Sequence, residues 1–557
     1  MQLKKFQLMF RAQIGGRCQI QRLIPGANEQ DATRWASEWV DKAYPHLKEP
    51  GNEVQTRTSA LTWRFITNSG QDGSVIRPVI GAKGWPFYPG SSMKGIFRRA
   101  CTKEQAERYC GKSLPGGDFI PGILRFHGGY PTNTDWTENL VDIVHPQQNW
   151  QVKDNNKESG AFIQISLYKP KLKFNISSNT KLDESEWKTI WNIWEKALST
   201  GIGCRVSAGY GQPQNNTGNV IYRTCLKGQG QAAKLIDGDG TGEFRANIFR
   251  AALRGHALRL FGGLTDAEMA DRIVDNLFGG VRGGATVGLL GMSFRDSRLD
   301  MESFGSGNYS TPTYNVEGDL VWLLNRKLEN PEHKEALTKL VASLTQFAMV
   351  LGGFGKSWRR ADHRLFYEEY YENGYKPLIG CHWQWLGERS LSRDVQVRKL
   401  EQVGGFINRV RQTAQDWMQL QGMTPNPAQK AAWREAWHPS TVQVWGREAD
   451  SKEDSEAIFW LHKPYQEEIR GVQPEGSIYR SSVTGQMGQI GRLWHRMYPF
   501  VRLVKNPEDP DGKPIPRTTP KYFELLTLFP DDSTESRQFV QFLNSQQNRP
   551  RGFKKLW

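Results

Sequence analysis

Two glycine-rich segments that carry cationic side chains are the first candidates for chemistry in this sequence. One runs from Gly201 to Gly211 and the other from Gly352 to Arg360. Because glycine has no Cβ atom, backbone N–H groups in such segments can approach an anion closely while a neighbouring Lys or Arg neutralises its charge. Phosphate groups fit this combination, so both segments are predicted to bind them. The alternative is that the glycines only cap the C-terminal ends of helices.

Each glycine-rich segment follows a basic helix at nearly the same distance along the chain. Lys94 precedes Arg205 by 111 positions, and Arg250 precedes Arg359 by 109. The matching order and spacing favour an internal duplication, in which one unit occurs twice. Two unrelated α+β domains, each with a helix that runs into a glycine-rich loop, remain the alternative.

A nucleotide-binding loop is a competing interpretation of the second segment, because it contains Gly355-Lys356-Ser357. Val350 stands where such a loop requires glycine, and the segment follows a predicted helix rather than a strand. We therefore expect no nucleotide cofactor. The ten histidines show no metal-ligand spacing and the six cysteines include no CxxC pair, so the sequence predicts no resident metal site.

The elements that position these segments follow from hydrophobic periodicity. Alternation from Phe6 to Ile14 predicts a first strand, and strands at 162–168 and 172–176 are predicted to form a hairpin. A capping signal at Asp183, followed by an apolar stripe, predicts a helix that stops at Gly201. Strand, helix, strands, helix and strand in this order predict an α+β fold made of ferredoxin-like, split βαβ modules.

We expect two such modules. The first covers 1–217 and the second 218–557, with an insertion around 390–480 and a basic C-terminal tail. The cationic residues of this tail are Arg549, Arg551, Lys554 and Lys555. The basic helix of the first module is predicted to begin at Ser91, with Ser91 or Ser92 as its N-terminal cap.

Charge and hydropathy narrow the class of partner. The chain of 557 residues has a formal net charge of +15 and a pI of about 9.4. A positive surface attracts polyanions, so nucleic acid is the first candidate partner. The mean hydropathy is −0.62 and the sequence has no long apolar run, so no membrane partner is expected. The first ten residues lack the pattern of a signal peptide, which predicts a cytoplasmic location.

Several segments resemble a known family. Pro86–Arg98 and Gly201–Gly211 resemble the signature of the RAMP proteins, the repeat-associated backbone subunits of type III CRISPR effector complexes. Within the first segment, Pro89–Gly95 is similar to the family's PGSSLKG motif, with Met in place of Leu. Phe126–Pro131 and Asp142–Pro146 are similar to stretches of the Cmr-type branch, although His127 replaces an Asp and the final His-Pro order is reversed.

The second half resembles another RAMP core in Phe244–Gly255, Leu277–Gly280 and Gly352–Arg360. The resemblance implies ferredoxin-like modules that line up along a guide RNA and present it to complementary target RNA, beside other subunits of the complex. Backbone contacts position the RNA while base pairing supplies specificity. The residues implied as RNA contacts are Ser91, Ser92, Lys94, Arg98, Arg205, Gly209, Tyr210, Arg250, Arg254, Lys356, Arg359 and Arg360.

The resemblance implies that Asp72 is the catalytic residue. Asp72–Arg77 is similar to the loop in which catalytic RAMP subunits keep the aspartate needed for target-RNA cleavage, although Ser74 replaces its proline. The implied reaction is attack of a ribose 2′-OH on the adjacent phosphate, helped by a carboxylate and by Mg²⁺ or another divalent ion. Asp-Gly is also a common turn dipeptide. Asp237 and Asp239 precede the second basic helix in the same way and are weaker catalytic candidates. The alternative is that they only form a turn.

Three other functions remain open from the sequence. One is a structural or capping subunit of such a complex without catalytic activity. Another is an endoribonuclease that processes guide RNA through a histidine. The third is a general single-strand binder that stacks bases on aromatic rings.

Overall fold

The computed structural model describes the chain in blocks separated by gaps. The described residues are 29–43, 51, 53–67, 69–72, 75–144, 149–153, 162–215, 218–235, 242–280, 287–326, 328–366, 378–465, 476–486, 489–506 and 514–557. The strand predicted from Phe6 to Ile14 lies outside these residues.

The first part of the chain combines short strands with helices. Its elements are α1 (Glu29–Lys42), β1 (Gln55–Ala60), β2 (Arg64–Phe65), β3 (Gly70–Asp72), β4 (Val75–Arg77), α2 (Gly90–Ala100), α3 (Lys103–Cys110), β5 (Gly111–Ser113), β6 (Phe119–Pro121), β7 (Leu124–Pro131), β8 (Val141–Val144), α4 (Asn149–Lys153), β9 (Phe162–Ile165), β10 (Leu167–Tyr168), β11 (Lys171–Ser178) and α5 (Glu184–Leu198). The mixture of helices and antiparallel sheets here and in the rest of the chain confirms the α+β prediction.

Strand β11 is the centre of an antiparallel sheet, between β1 and β7. Strand β9 pairs instead with β4 and β8 in a separate sheet. The predicted hairpin of 162–168 with 172–176 is therefore wrong. Lys169, which has a φ of 40°, turns the chain between the two strands, and they join different sheets.

Helix α5 forms as its sequence signals predict. The carboxylate of Asp183 accepts a hydrogen bond of 2.8 Å from the backbone N–H of Glu186, which caps the helix. Ile190, Trp191 and Trp194 on the apolar stripe are buried. Capping and stripe together fix where the helix begins and which face packs on the core.

The middle of the chain builds a four-stranded antiparallel sheet. Its elements are β12 (Val220–Gln231), β13 (Ala233–Lys234), β14 (Gly242–Glu243), α6 (Asn247–Gly262), α7 (Ala267–Phe278), β15 (Leu290–Phe304), β16 (Thr311–Leu324), α8 (Pro331–Leu351) and β17 (Cys381–Trp385). The spatial order is β15-β16-β12-β17, so the first strand lies between the third and the fourth. This order is that of the split βαβ arrangement.

The last part of the chain repeats this topology. After α9 (Glu388–Arg393) and α10 (Gln402–Leu420) its elements are β18 (Gln443–Ala449), α11 (Ala457–His462), β19 (Gly485–Gln486), β20 (Gln489–Ile490), β21 (Leu493–Val504), β22 (Ile515–Leu528), α12 (Thr534–Gln546) and β23 (Lys554–Lys555). The sheet order is β21-β22-β18-β23, again with the first strand between the third and the fourth. We call this the third sheet, the β15-β16-β12-β17 sheet the second and the β1-β11-β7 sheet the first. The third sheet was not predicted from the sequence, and the boundary between 217 and 218 stays a prediction.

One hydrophobic core contains residues from the first, middle and last parts of the chain. It includes Trp63 and Tyr210 from the first part, Phe249 from α6, and Trp494 and Phe523 from the third sheet, all at most 5% exposed. A second core lies under β1, β7 and β11. The four-stranded sheets of the middle and last parts therefore share one core, and Trp63 and Tyr210 attach the first part to it.

Candidate nucleic-acid interface

Helix α2 lies against β7 because its first residue is glycine. A Cβ atom on Gly90 would lie 2.0 Å from the carbonyl oxygen of Phe126, so no larger residue fits without moving the helix. The helix begins at Gly90, and its N-terminal cap, Pro89, offers no side-chain hydrogen bond. The predicted capping role of Ser91 or Ser92 is therefore wrong. Both serines are instead exposed on the first turn, where N–H groups have no intrahelical acceptors.

The basic residues of α2 lie beside a short hairpin formed by β5 and β6. Arg98 is exposed, and its Nη1 donates a 2.9 Å hydrogen bond to the carbonyl of Gly111 on β5. The Nζ of Lys94, which is half-buried, lies 5.8 Å from the ring centroid of Phe119 on β6. Phe119 and Ile120 are 53% and 50% exposed. Two cations and a solvent-facing aromatic ring thus share one surface, which we name the α2–hairpin surface.

The exposure of Phe119 and Ile120 was not predicted from the sequence. The signal for the hairpin was present, because Pro115-Gly-Gly-Asp118 is a turn sequence immediately before them. A chain that exposes two neighbouring large apolar side chains at a turn leaves them available to a partner.

The first glycine-rich segment packs against the second part of the chain. Gly209 has a φ of 92°, and a Cβ atom there would lie 2.8 Å from the Sδ of Met292 on β15. Tyr210 is 1% exposed, and its hydroxyl donates a 2.7 Å hydrogen bond to the buried carboxylate of Asp142. Burial, followed by the nearby Asp142 charge, raises the pKa of Tyr210 well above its ordinary value. The prediction of Tyr210 as an RNA contact is therefore corrected: its ring and hydroxyl are both used inside the protein.

Three of the predicted arginines from different parts of the chain come together. Burial lowers the pKa of Arg250 to about 9, and the neighbouring charges of Arg254 and Arg205 add to this effect. The guanidinium of Arg250 donates to the carbonyl of Phe278, and Nη2 of Arg254 lies 2.7 Å from Oδ1 of Asp275. Arg250 and Arg254 are each only 8% exposed, whereas Arg205 is half-buried. The three arginines thus form a cluster, but the guanidinium groups of Arg250 and Arg254 bind acceptors inside the protein.

The second glycine-rich segment has a different environment from the one predicted. Nη1 of Arg359 lies 2.6 Å from Oε1 of Glu435, which is fully buried. The guanidinium of Arg360 donates to the carbonyls of Leu493 and Thr484. These two arginines join the second and third sheets, and this use of their side chains corrects the prediction that they bind RNA.

Lys356 is the exposed cation of this segment. Its Nζ donates a 3.2 Å hydrogen bond to the carbonyl of Ala232. Partial desolvation, followed by the charges of Arg245 and Lys234, lowers the pKa of Lys356. Lys356 is therefore the exposed cation of this segment, with the positive charges of Arg245 and Lys234 close to it.

A buried ionic network fixes the first part of the chain to the second. Nη2 of Arg64 lies 2.7 Å from Oε2 of Glu243, and the indole of Trp63 donates to the same carboxylate at 2.8 Å. Nη1 of Arg245 lies 3.0 Å from Oδ1 of Asp142. Because a buried charge without its partner is costly, this network holds the two parts in one relative position.

Of the three candidate catalytic aspartates, only Asp72 is among the described residues. Asp72 is the last residue of β3, and its backbone is paired with Val75 of β4. Asp237 and Asp239 lie outside the described residues. Among the residues that the structure describes, no group of three or more His, Cys, Asp or Glu side chains is arranged to hold a metal ion. The described part of the chain also contains no helix with the length and hydropathy needed to cross a membrane.

Comparisons with known proteins give partial matches only. No protein-family model and no curated protein matches the chain. A cryo-EM structure of the type III-B Cmr-beta bound to cognate target RNA is 21% identical, with a TM-score of 0.23 over 28% of this chain and 56% of that chain. This chain thus spans just over half of that structure's chain.

Two further solved structures are similar in part. A type IV-B CRISPR complex is 14% identical, with a TM-score of 0.20 over 29% of this chain and 87% of that chain. The crystal structure of Cmr1 from Pyrococcus furiosus in its apo form is 11% identical, with a TM-score of 0.28 over 60% of this chain and 98% of that chain. All three TM-scores are below 0.5, so function must be inferred from the residues of this chain.

Proposed function

We propose that this chain is an RNA-binding subunit of a guide-RNA-directed effector complex of the RAMP type, and that the α2–hairpin surface contacts the RNA. The observation that carries the proposal is the presence of Lys94, Arg98 and an exposed Phe119 on one surface. The net charge of +15 supports a polyanionic partner. The RAMP-like motif that begins at Pro89 is the same segment that builds this surface.

The chemistry of the surface suits a single-stranded ribose-phosphate chain. Cations on α2 can neutralise phosphates, and the exposed N–H groups at its first turn can donate to their oxygens. A base can stack on the ring of Phe119, which lies next to Lys94. Backbone contact with stacking gives affinity without reading sequence, and base pairing with a guide supplies specificity.

Salt dependence tests this surface directly. We expect K94Q/R98Q to weaken binding of a single-stranded RNA and to reduce the slope of log affinity against log salt by about 1.4, because two phosphate contacts are lost. The matched control is R272Q/K339Q, which removes two exposed cations elsewhere. An unchanged slope in K94Q/R98Q, in a variant whose thermal unfolding matches the wild type, would contradict the proposal.

The nature of the RNA is tested by what copurifies with the protein. We expect purification of the assembled complex from its native cell to recover short RNAs that share a repeat-derived end. Sister subunits of the complex are expected in the same preparation. Recovery of RNAs of unrelated sequence and length would instead favour a general single-strand binder.

A second candidate function is cleavage of target RNA through Asp72. Asp72 ends β3, which pairs with β4, and a carboxylate can act as a general base toward a ribose hydroxyl. The described residues hold no ready set of metal ligands, so no step is assigned to a divalent ion. We expect D72N in the guide-loaded complex to abolish cutting at one phosphate of the target. Unchanged cutting at every position would leave the chain a binding subunit only.

A further inference from the structure

The third sheet repeats a feature of the first two parts of the chain. In each part, a long helix near the end of that part is followed by a segment with glycine and basic residues. These segments are Gly201–Gly211 after α5, Gly352–Arg360 after α8 and 547–553 after α12. The third segment leads into β23, the edge strand of its sheet.

Gly552 lets the third segment fold back tightly on α12. A Cβ atom on Gly552 would lie 2.0 Å from the carbonyl oxygen of Gln546, and the N–H of Gly552 donates to the carbonyl of Arg549 at 3.1 Å. Phe553 is fully buried, with its ring centroid 5.2 Å from that of Trp460 on α11. The buried phenyl ring fixes the segment, so the cationic side chains around it have a defined position.

The cations of this segment face solvent. Arg549, Arg551, Lys554 and Lys555 are all exposed, in contrast to Arg359 and Arg360 of the second segment. We name the four cations Arg549, Arg551, Lys554 and Lys555 the C-terminal basic surface.

Two of the four cations have an acidic neighbour. Arg551 forms a 2.9 Å ion pair with Asp450, but the two side chains are 77% and 54% exposed. Exposed pairs of this kind contribute little free energy, so a phosphate can compete for the guanidinium. Glu456 lies near enough to Arg549 for the two charges to interact, while Lys554 and Lys555 project from the edge strand.

We propose that the C-terminal basic surface is a second contact for the RNA backbone, separate from the α2–hairpin surface. The inference rests on the proposed function and extends it to the third sheet. Lysines on an edge strand can also serve to prevent pairing with another chain, which is the competing explanation. The two explanations differ in whether RNA binding weakens when the lysines are replaced.

Salt dependence of RNA binding by the full chain separates these explanations. We expect R549Q/K554Q/K555Q to reduce the slope of log affinity against log salt by about 2 for a long single-stranded RNA, because three cations are removed. The matched control is R272Q/R298Q/K339Q, in which side chains that are 66%, 67% and 68% exposed are neutralised elsewhere. The control should leave the slope unchanged.

Each other outcome has a definite meaning. An unchanged slope in R549Q/K554Q/K555Q, while K94Q/R98Q still loses affinity, overturns this inference and leaves the proposed function intact. Self-association of the triple variant with unchanged RNA binding assigns the lysines to protection of the sheet edge and also overturns it. A wild-type chain without salt-dependent RNA binding overturns the proposed function itself.

Discussion

Arg359 and Glu435 form a 2.6 Å ion pair that anchors the second glycine-rich segment in the interior of the protein. Glu435 also accepts a 2.7 Å hydrogen bond from Nε of Arg259 and lies 3.1 Å from Nη2 of Arg434. Its carboxylate has no exposed surface. Three guanidinium groups therefore depend on one buried anion, and their charges would oppose one another without it.

Replacement of Glu435 by Gln should strongly destabilise the protein. The variant leaves three largely buried guanidinium groups without their shared anion, so we expect the free energy of unfolding to fall by about 3–5 kcal/mol. Urea unfolding followed by tryptophan fluorescence measures the change. The matched control is E335Q, which breaks an exposed pair with Lys339 and should cost less than about 0.5 kcal/mol. Equal effects of the two variants would contradict the assigned role of Glu435.

Stability should fall in acid because of two buried glutamates. Burial alone would raise the pKa of Glu435, but the charges of Arg359 and Arg259 lower it to about 2. Burial likewise opposes ionisation of Glu524, but its hydrogen bond and charge interaction with His495 lower its pKa to about 2. Groups whose pKa is lower in the folded than in the unfolded state stabilise the fold above the unfolded pKa.

The stabilising contribution of both groups is therefore complete above about pH 4.5 and is lost as the pH falls toward about 2. We expect the free energy of unfolding, measured in urea at several pH values between 6 and 3, to decrease steadily below pH 4.5. The dependence should be shallower in E435Q, because one of the two groups no longer titrates. A profile that is flat across this range would show that the pKa values of these carboxylates are not lower in the folded than in the unfolded state.

Local signals predicted the elements better than the contacts between them. Asp183 and the apolar stripe behind it predicted α5, because capping and periodicity are properties of neighbouring residues. Arg359 was predicted as an RNA contact from its place in a glycine-rich segment, and no local signal indicated its partner, Glu435, which lies 76 positions away. Strand β18 was hard to identify as the start of a further unit, since it is buried on both faces and lacks the alternation of a half-exposed strand.

At the candidate site, too, the local element was predicted but its contacts were not. A helix carrying Lys94 and Arg98 was predicted to begin at Ser91, and the structure has this helix from Gly90 to Ala100. The neighbouring ring of Phe119 was not predicted, because exposure depends on how the hairpin packs rather than on residue type. The sequence could suggest a turn before Phe119 but not its distance from Lys94.

Two glycines on α2 should respond in opposite ways to substitution by alanine. In G90A the new Cβ atom would meet the carbonyl of Phe126 at 2.0 Å, so α2 must move and the protein should lose about 1–3 kcal/mol. In G95A the Cβ atom meets nothing within 4 Å, and alanine in a helix interior should add about 0.5–1 kcal/mol. Urea unfolding of the two variants measures both changes. The same sign for both would contradict the described packing of α2 on β7.

G90A should weaken RNA binding as well as stability, whereas G95A should change stability alone. Because G90A displaces the helix that carries Lys94 and Arg98, we expect it to weaken RNA binding, while G95A should bind as the wild type does. Fluorescence anisotropy with a labelled single-stranded RNA provides the measurement. Equal affinity of G90A and the wild type would show that the position of α2 does not matter to the RNA.

The aromatic ring of Phe119 should contribute to affinity without changing its salt dependence. Stacking of a base on an aromatic side chain is worth about 1–3 kcal/mol, so F119A should weaken RNA binding by roughly five- to 150-fold. The ring carries no charge, so the slope of log affinity against log salt should stay at the wild-type value. F119Y keeps a flat ring and should retain most of the affinity. V287A, which truncates a side chain that is 65% exposed elsewhere, is the control and should have no effect.

The pair of readouts distinguishes stacking from a general loss of structure. Phe119 is 53% exposed, so its truncation removes little buried area and should leave the midpoint of thermal unfolding nearly unchanged. A loss of affinity in F119A and F119Y alike would mean that the hydroxyl of tyrosine interferes and that the ring is packed against the RNA edge-on. Unchanged affinity in F119A would place the bound bases away from the β5–β6 hairpin, and the phosphate contacts of α2 would then account for binding at this surface alone.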